Sequence, residues 1–230
     1  MPLILAIESS SHLGAIALVR VGDTSDQAFG EVARNDTKVS SWMLPAVERV
    51  LTQAQLRGED VDAIAFGAGP GSFSGVRTAC ATAQALAYAW QKPLIRVDSL
   101  GALAEASALS RVTIAIDARM QEIYVASFAR GDTGALDRLT QTSVCSPALL
   151  AVPNDMMVLG SGAHLVAHAL HAASREQTEH AESNWALGVA RVAARKLARG
   201  EITPASDAEP LYVRNNVAQT EAERAAAKVQ

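Results

Sequence analysis

The chain has 230 residues, 49% of them apolar and only 19% charged, with a net charge of −4. That is enough apolar material for one large domain or two small lobes, and no basic excess marks a nucleic-acid footprint, so any RNA contact is expected through a partner. The low charged fraction points to surface covered by another protein; no signal peptide or membrane span is read (Val76 to Trp90 is too short), and Cys80 and Cys145 read as reduced core thiols, so a cytoplasmic protein is expected.

In chain order, Leu3 to Ile7 predicts a strand, Glu8 to Leu13 a Ser-rich turn, and Gly14 to Val21 the return strand of a hairpin. Phe29 to Arg34 reads as a third strand. Leu44 to Leu56 reads as a helix with Pro45 in its first turn and an apolar stripe of Met43, Val47, Val50, Leu51 and Ala54. Val61 to Phe66, the glycine-rich run Gly67 to Arg77, an apolar helix Val76 to Trp90 and the strand Leu94 to Val97 make a βαβ unit with a buried parallel sheet. Asp98 or Ser99 caps a helix to Ala108.

Val112 to Ile116 restarts the pattern. Without gaps, Leu5-Ala6-Ile7-Glu8 lies over Ile114-Ala115-Ile116-Asp117, and Ala15 to Val19 lies over Tyr124 to Phe128. Two such hairpins half a chain apart suggest a duplicated fold. Met156 to Leu159 then reads as a strand, with Gly160-Ser161-Gly162-Ala163 turning into a helix to Ala173. Trp185 to Arg199 reads as a helix closed by Gly200, Leu211 to Val213 as a short strand, and the residues after Arg214 as a mobile tail.

Glycines ahead of a helix N-terminus offer bare N–H groups to an anion, so Gly69, Gly71 and Ser72 are phosphate candidates, and Gly160 and Gly162 repeat the theme. A tight turn explains the same glycines. Two facing hairpin tips are how a nucleotide is held between lobes. Glu8 and Asp117 would orient a magnesium ion or water, and Ser9, Ser10, Ser11 and Arg119 would meet phosphates. A plain Ser turn and a charged hairpin tip are the competing readings. His164, His168 and His171 fall at i, i+4 and i+7 of the expected helix and read as a wet polar face rather than a metal site.

From Val76 to Trp90 the only charged residue is Arg77. A helix apolar all round is buried on all sides. It is either a central core helix or one whose second face meets a partner.

Leu3 to Ser11 (LILAIESSS), Gly69 to Arg77 (GPGSFSGVR), Ile116 to Tyr124 (IDARMQEIY) and Pro210 to Arg214 (PLYVR) together resemble the TsaB (YeaZ) family of threonylcarbamoyladenosine biosynthesis proteins. The similarity runs from Met1 to about Arg214. It implies an α/β fold of the actin-like ATPase type (ASKHA, ribonuclease H-like): two duplicated lobes, placed at residues 1–108 and 109–214, and a tail at 215–230. It further implies a non-catalytic partner of the transferase TsaD, joined by the ATPase TsaE. The complex modifies adenosine beside the anticodon, and tRNA is met only through it. The family pairs with itself and with TsaD through the two helices near Leu44 and Val76. That places Trp42, Met43, Leu44 and Val47, with Arg77, Cys80, Ala83, Ala87 and Trp90, at the interface. No cofactor or metal is required by the chain, and ATP or ADP belongs at the complex interface. Lys38 to Leu56 lacks the histidine pair of a TsaD-like metal site, which argues against a metallopeptidase, and the glycine-poor first tip argues against kinase chemistry. An ATP-dependent small-molecule kinase or acyl transferase is the alternative.

Overall fold

Period-2 alternation in the first strand sets the layering of the molecule. In a computed structural model of the chain, which describes residues 1–22, 26–33, 38–131, 134–166 and 172–214, β1 (Leu3–Glu8) is buried on both faces. Leu3, Leu5 and Ile7 enter one apolar cluster, and Ile4 and Ala6 another. β1 pairs antiparallel with β2 (Ala15–Arg20), which pairs antiparallel with β3 (Gln27–Val32). The third strand therefore ends before Arg34, which lies outside the described residues.

The first helix, α1 (Val39–Ala54), begins before the expected Leu44 and carries Pro45 in its interior. Proline there removes the bond to the Ser41 carbonyl. Both residues are exposed, so water can take that carbonyl's free valence. β4 (Ala63–Gly67) runs parallel to β1. α2 (Phe73–Trp90) starts ahead of Val76 because the Ser72 hydroxyl accepts a bond from the Gly75 N–H at 3.4 Å. β5 (Leu94–Val97) closes the first sheet in the order β3-β2-β1-β4-β5. Asp98, rather than Ser99, caps α3 (Ser99–Ser107), accepting from the Gly101 N–H at 2.8 Å.

The second sheet contains β6 (Arg111–Arg119), β7 (Glu122–Arg130), β8 (Leu136–Arg138), β9 (Ser143–Cys145) and β10 (Met157–Leu159). Its order is β10-β6-β7-β8, with β9 also on β7. β6 thus has a parallel neighbour, β10, and an antiparallel return strand, β7, as β1 has β4 and β2. The order β4-β1-β2-β3 repeats as β10-β6-β7-β8. The internal repeat therefore extends past the hairpins that carry the sequence match.

Of the helix expected from Gly160 to Ala173, residues 167–171 lie outside the described residues, and the described ends are not α-helical. Ala163–Leu165 is a single 3-10 turn and Ala172 bridges Val158. His168, His171 and the tail after Arg214 lie outside the described residues. α4 (Arg175–Ser183) was not expected. A capping box starts it: the Ser174 hydroxyl accepts from the Gln177 N–H at 3.2 Å, and the Gln177 side chain accepts from the Ser174 N–H at 2.9 Å. α5 (Trp185–Ala198) packs back on the first sheet, opposite α1 and α2. α3 shares that middle layer, with the second sheet beyond it. Leu211 to Val213 forms no strand ladder. Its Leu211 N–H donates to the Ala68 carbonyl at 2.7 Å and holds the segment across the first lobe as a strap. Among the described residues no helix is long and apolar enough to cross a membrane.

Candidate functional site

The glycine run sits directly on the first hairpin tip. A Cβ at Gly75 would stand 1.9 Å from the Ser9 carbonyl oxygen, and one at Gly71 2.2 Å from that of Ser10. The contact is hydrogen-bonded throughout. The Ser72 N–H donates to the Ser10 carbonyl at 2.6 Å, and the Ser9 hydroxyl to the Gly75 carbonyl at 2.7 Å. Gly69, at φ +94, receives the Ser99 N–H on its carbonyl at 3.0 Å and donates its own N–H to the Ser99 hydroxyl at 3.0 Å. The Gly69 and Ser72 N–H groups expected to cradle a phosphate are engaged by the chain itself. The glycines are there because two backbones touch.

Glu8 anchors this contact from below. It is 1% exposed. Its Oε1 accepts from the Ser10 N–H at 2.6 Å and its Oε2 from the Ser99 hydroxyl at 2.8 Å. Burial pushes its carboxyl above the usual range, against the pull of the Ser10 and Ser99 hydrogen bonds. A Cβ at Gly67 would lie 1.7 Å from Oε2, so the carboxylate fits only beside glycine. Glu8 is thus a buried acid under the hairpin tip, its two oxygens taken by Ser10 and Ser99, where a magnesium ion or water was expected.

Beyond the tip lies a cleft of about 790 Å³ between the two lobes. Of the candidates, Ser10, Ser11, Gly71, Ser72, Asp117 and Arg119 line it. Gly160 lines a smaller neighbouring cavity. Ser9 is buried, and Gly162 packs against the backbone of Ile116 and Asp117. Across the cleft, Arg119, Met120 and Gln121 hold φ of 63°, 54° and 60°, a left-handed run that L-residues resist. The Asp117 carboxylate accepts from the Arg119 N–H at 2.7 Å and pairs with its guanidinium at 3.4 Å. The tip's acid and base satisfy each other. The strap Leu211–Arg214 also lines the cleft and was missed as a wall. Arg77 donates to the Tyr212 hydroxyl at 3.0 Å, and Arg214 pairs with Glu122.

The geometry does not fit a kinase-style nucleotide and magnesium site. Its phosphate loop is filled by Ser9 and Ser10, and its first acid is buried away from the cleft. Among the described residues no group of three or more His, Cys, Asp or Glu side chains could hold a metal ion.

The two helices expected at an interface turn mostly inward. Met43, Val47, Cys80, Ala83 and Ala87 are buried in the cluster under the first sheet. Trp42 donates its indole N–H to Glu31 at 2.9 Å, and Trp90 packs on Gly58. The outward residues include Leu44 (54% exposed), Glu48 and Arg49 on α1, and Phe73 (51% exposed), Arg77, Ala81, Ala85 and Tyr88 (84% exposed) on α2. Both helices cover the same face of the sheet, and after Arg77 no charge interrupts α2. Beyond Arg77 the outward face of α2 is one of small side chains plus one large aromatic, Tyr88.

Glu182, at the end of α4, had no place in the sequence reading. Burial, with repulsion from Glu179 and Glu8, pushes its carboxyl up to about 7 from an ordinary 4.5. An acid with a raised folded pKa binds more protons folded than unfolded. Its ionisation therefore removes stability as pH rises from the unfolded to the folded value, and the loss persists above. Glu182→Gln is expected to stabilise the protein by about 2 kcal/mol near pH 8 and by little near pH 5. Thermal unfolding of the pair at both pH values checks this.

A parallel–antiparallel sheet repeated in two lobes around a cleft, with helices packed between the sheets, is the actin-like ATPase fold. The TsaD family model, tRNA N6-adenosine threonylcarbamoyltransferase, matches residues 30–222. The TsaB protein of Escherichia coli K12 is 31% identical over 229 residues, covering 94% of this chain and 96% of that one. TsaB of Haemophilus influenzae is 34% identical over 166 residues, covering 66% of this chain and 68% of that one. The solved structure of YeaZ from Pseudomonas aeruginosa superposes with a TM-score of 0.78 at 30% identity, covering 92% of this chain and all of the other. The chain belongs to the TsaB (YeaZ) family.

Proposed function

We propose that this protein serves tRNA threonylcarbamoyladenosine biosynthesis as a non-catalytic subunit, docking and activating a TsaD-type transferase together with a TsaE-type ATPase. The carrying observation is the outward face of α1 and α2: Leu44, Ala81, Ala85 and Tyr88 exposed, with small side chains that let another helix approach closely. In isolation the same face pairs two copies of the chain. tRNA is met through the complex. The filled glycine loop and the buried Glu8 support the non-catalytic part of the reading. No step of this role passes through nucleotide held by this chain.

Co-expression with a TsaD-type transferase from the same genome, followed by size-exclusion chromatography, tests the docking. A stable heterodimer that displaces the homodimer is expected, and independent elution of the two proteins contradicts it. The open cleft favours one second reading, an ATP-dependent kinase or acyl transferase. Turnover of ATP by the pure chain, lost on Asp117→Asn, would establish that reading.

A further inference from the structure

Most of the described arginines pair with a carboxylate of the chain itself, as Arg49 does with Glu31, Arg119 with Asp117 and Arg214 with Glu122. Arg77 forms no such pair among the described residues, and it is the one charged residue of α2. It is exposed, on the outward side of the helix with Ala81, Ala85 and Tyr88. We propose that Arg77 receives an aspartate or glutamate side chain of the docked transferase, and that the Phe73 and Tyr212 rings beside it extend the docking face from α2 onto the strap. The inference rests on the docking reading above and names a chemical contact within it.

Three contacts fix the guanidinium without using its terminal nitrogens. Its Cζ lies 3.6 Å from the centroid of the Phe73 ring, one turn back on the same helix, and 5.7 Å from that of Tyr212. Its Nε donates to the Tyr212 hydroxyl at 3.0 Å. Both rings are about half exposed, so the stack stands at the surface. The strap that carries Tyr212 is itself tied to both lobes, by Leu211 to the Ala68 carbonyl and by Arg214 to Glu122. A long, flexible side chain is therefore held in one orientation before a partner arrives, which reduces the entropy lost on binding. Arginine and tyrosine, ringed by apolar surface that excludes water, have the composition of an interface anchor.

Charge decides what the anchor receives. The side chain lies back over Phe73, toward the helix N-terminus, where the macrodipole opposes a cation. The first turn of α2 supplies no acid to offset this. The free N–H groups of a guanidinium match the two oxygens of a carboxylate. A nucleic-acid phosphate is the competing anion. The net charge of −4 opposes it, and a single arginine between aromatic rings makes no basic track along a phosphate backbone.

The test is calorimetric titration of the full chain with a TsaD-type transferase from the same genome, at about 50 and about 300 mM salt. Arg77→Met keeps an apolar stem on the rings and loses the charge. It is expected to weaken docking by about tenfold to a hundredfold at low salt and to flatten the salt dependence. Arg77→Lys, which keeps the charge without the fork, should fall between the two. Tyr212→Phe removes only the hydroxyl that holds Nε and should weaken docking by about threefold to tenfold. Circular dichroism should be unchanged in all three. Carbodiimide labelling of the complex supplies the readout that a merely structural role would not move: a transferase carboxyl shielded by the unchanged protein should gain label with Arg77→Met. Unchanged affinity and salt slope in Arg77→Met, weaker docking with no carboxyl gaining label, or Arg77-dependent binding of tRNA by the pure chain would each overturn the proposal. If Ala85→Glu blocks docking while Arg77→Met leaves it unchanged, this inference fails and the docking reading stands. If neither variant alters docking, both fail.

Discussion

Gly67→Ala is expected to lower the unfolding midpoint by roughly 6–12 °C, corresponding to about 3 kcal/mol in a chain of this size. Its Cβ would stand 1.7 Å from the Glu8 Oε2, 2.4 Å from the Glu8 Cδ and 2.7 Å from the Ser99 hydroxyl. None of these atoms belongs to a flexible surface side chain. To yield, Glu8 must break its bonds to Ser10 and Ser99, and the Ser99 hydroxyl must release the Gly69 N–H. A buried carboxylate and three buried donors would then need new partners in a space already full. Gly200→Ala is the control. Its added Cβ meets nothing within 4 Å, and only the φ of +71° resists it, so a cost of about 1 kcal/mol is expected. Thermal unfolding of the two variants should therefore separate them clearly. Equal midpoints would show that the glycine loop does not rest on the hairpin tip as described.

Ala85→Glu is expected to leave the fold intact and to reduce transferase docking by at least about a hundredfold, roughly the 3 kcal/mol that a charge left unpaired in an interface costs. Ala85 faces solvent in the middle of the uncharged α2 face, between Ala81 and Tyr88. In the free protein the new carboxylate points into water. In a complex it would be pressed without a partner against the other helix. Ala83→Glu, two positions earlier, should behave oppositely. Ala83 is 0% exposed and packs in the cluster under the first sheet, so a carboxylate there should prevent stable folding altogether. Circular dichroism and a binding titration distinguish the two outcomes. A folded Ala85→Glu variant that docks normally removes α2 from the interface.

These two variants also mark where the sequence was legible and where it was not. The hairpins, the glycine loop and the apolar helix behind it were readable because period-2 alternation and glycine clustering are local signals. The phase of α2 was not. Ala79, Ala83 and Ala87 lie on one side of the helix and Ala81, Ala85 and Ala89 on the other, and alanine reads alike in a core and on a docking face. Only Cys80 and Tyr88 differ enough to betray direction. The loop's purpose was hidden for a similar reason. A glycine that admits a phosphate and one that admits a neighbouring backbone satisfy the same steric demand, and the Ser9–Ser10 tip that fills the loop is far away in the chain. α4 was lost because Arg175 to Ser183 is polar except for Ala181, although the Ser174–Gln177 capping box could have announced it. Glu182 shared that fate, since an acid in a polar stretch reads as solvated until the packing around it is known.

The central claim is that this chain supports a modification it does not itself catalyse. Its most direct measurement is the yield of threonylcarbamoyladenosine on tRNA in a reconstituted reaction, with the transferase, the ATPase and the activated threonylcarbamoyl donor all supplied. The yield should collapse when this protein is omitted and return when it is added. It should stay low with Ala85→Glu and be unaffected by Asp117→Asn. Full yield in its absence would contradict the account.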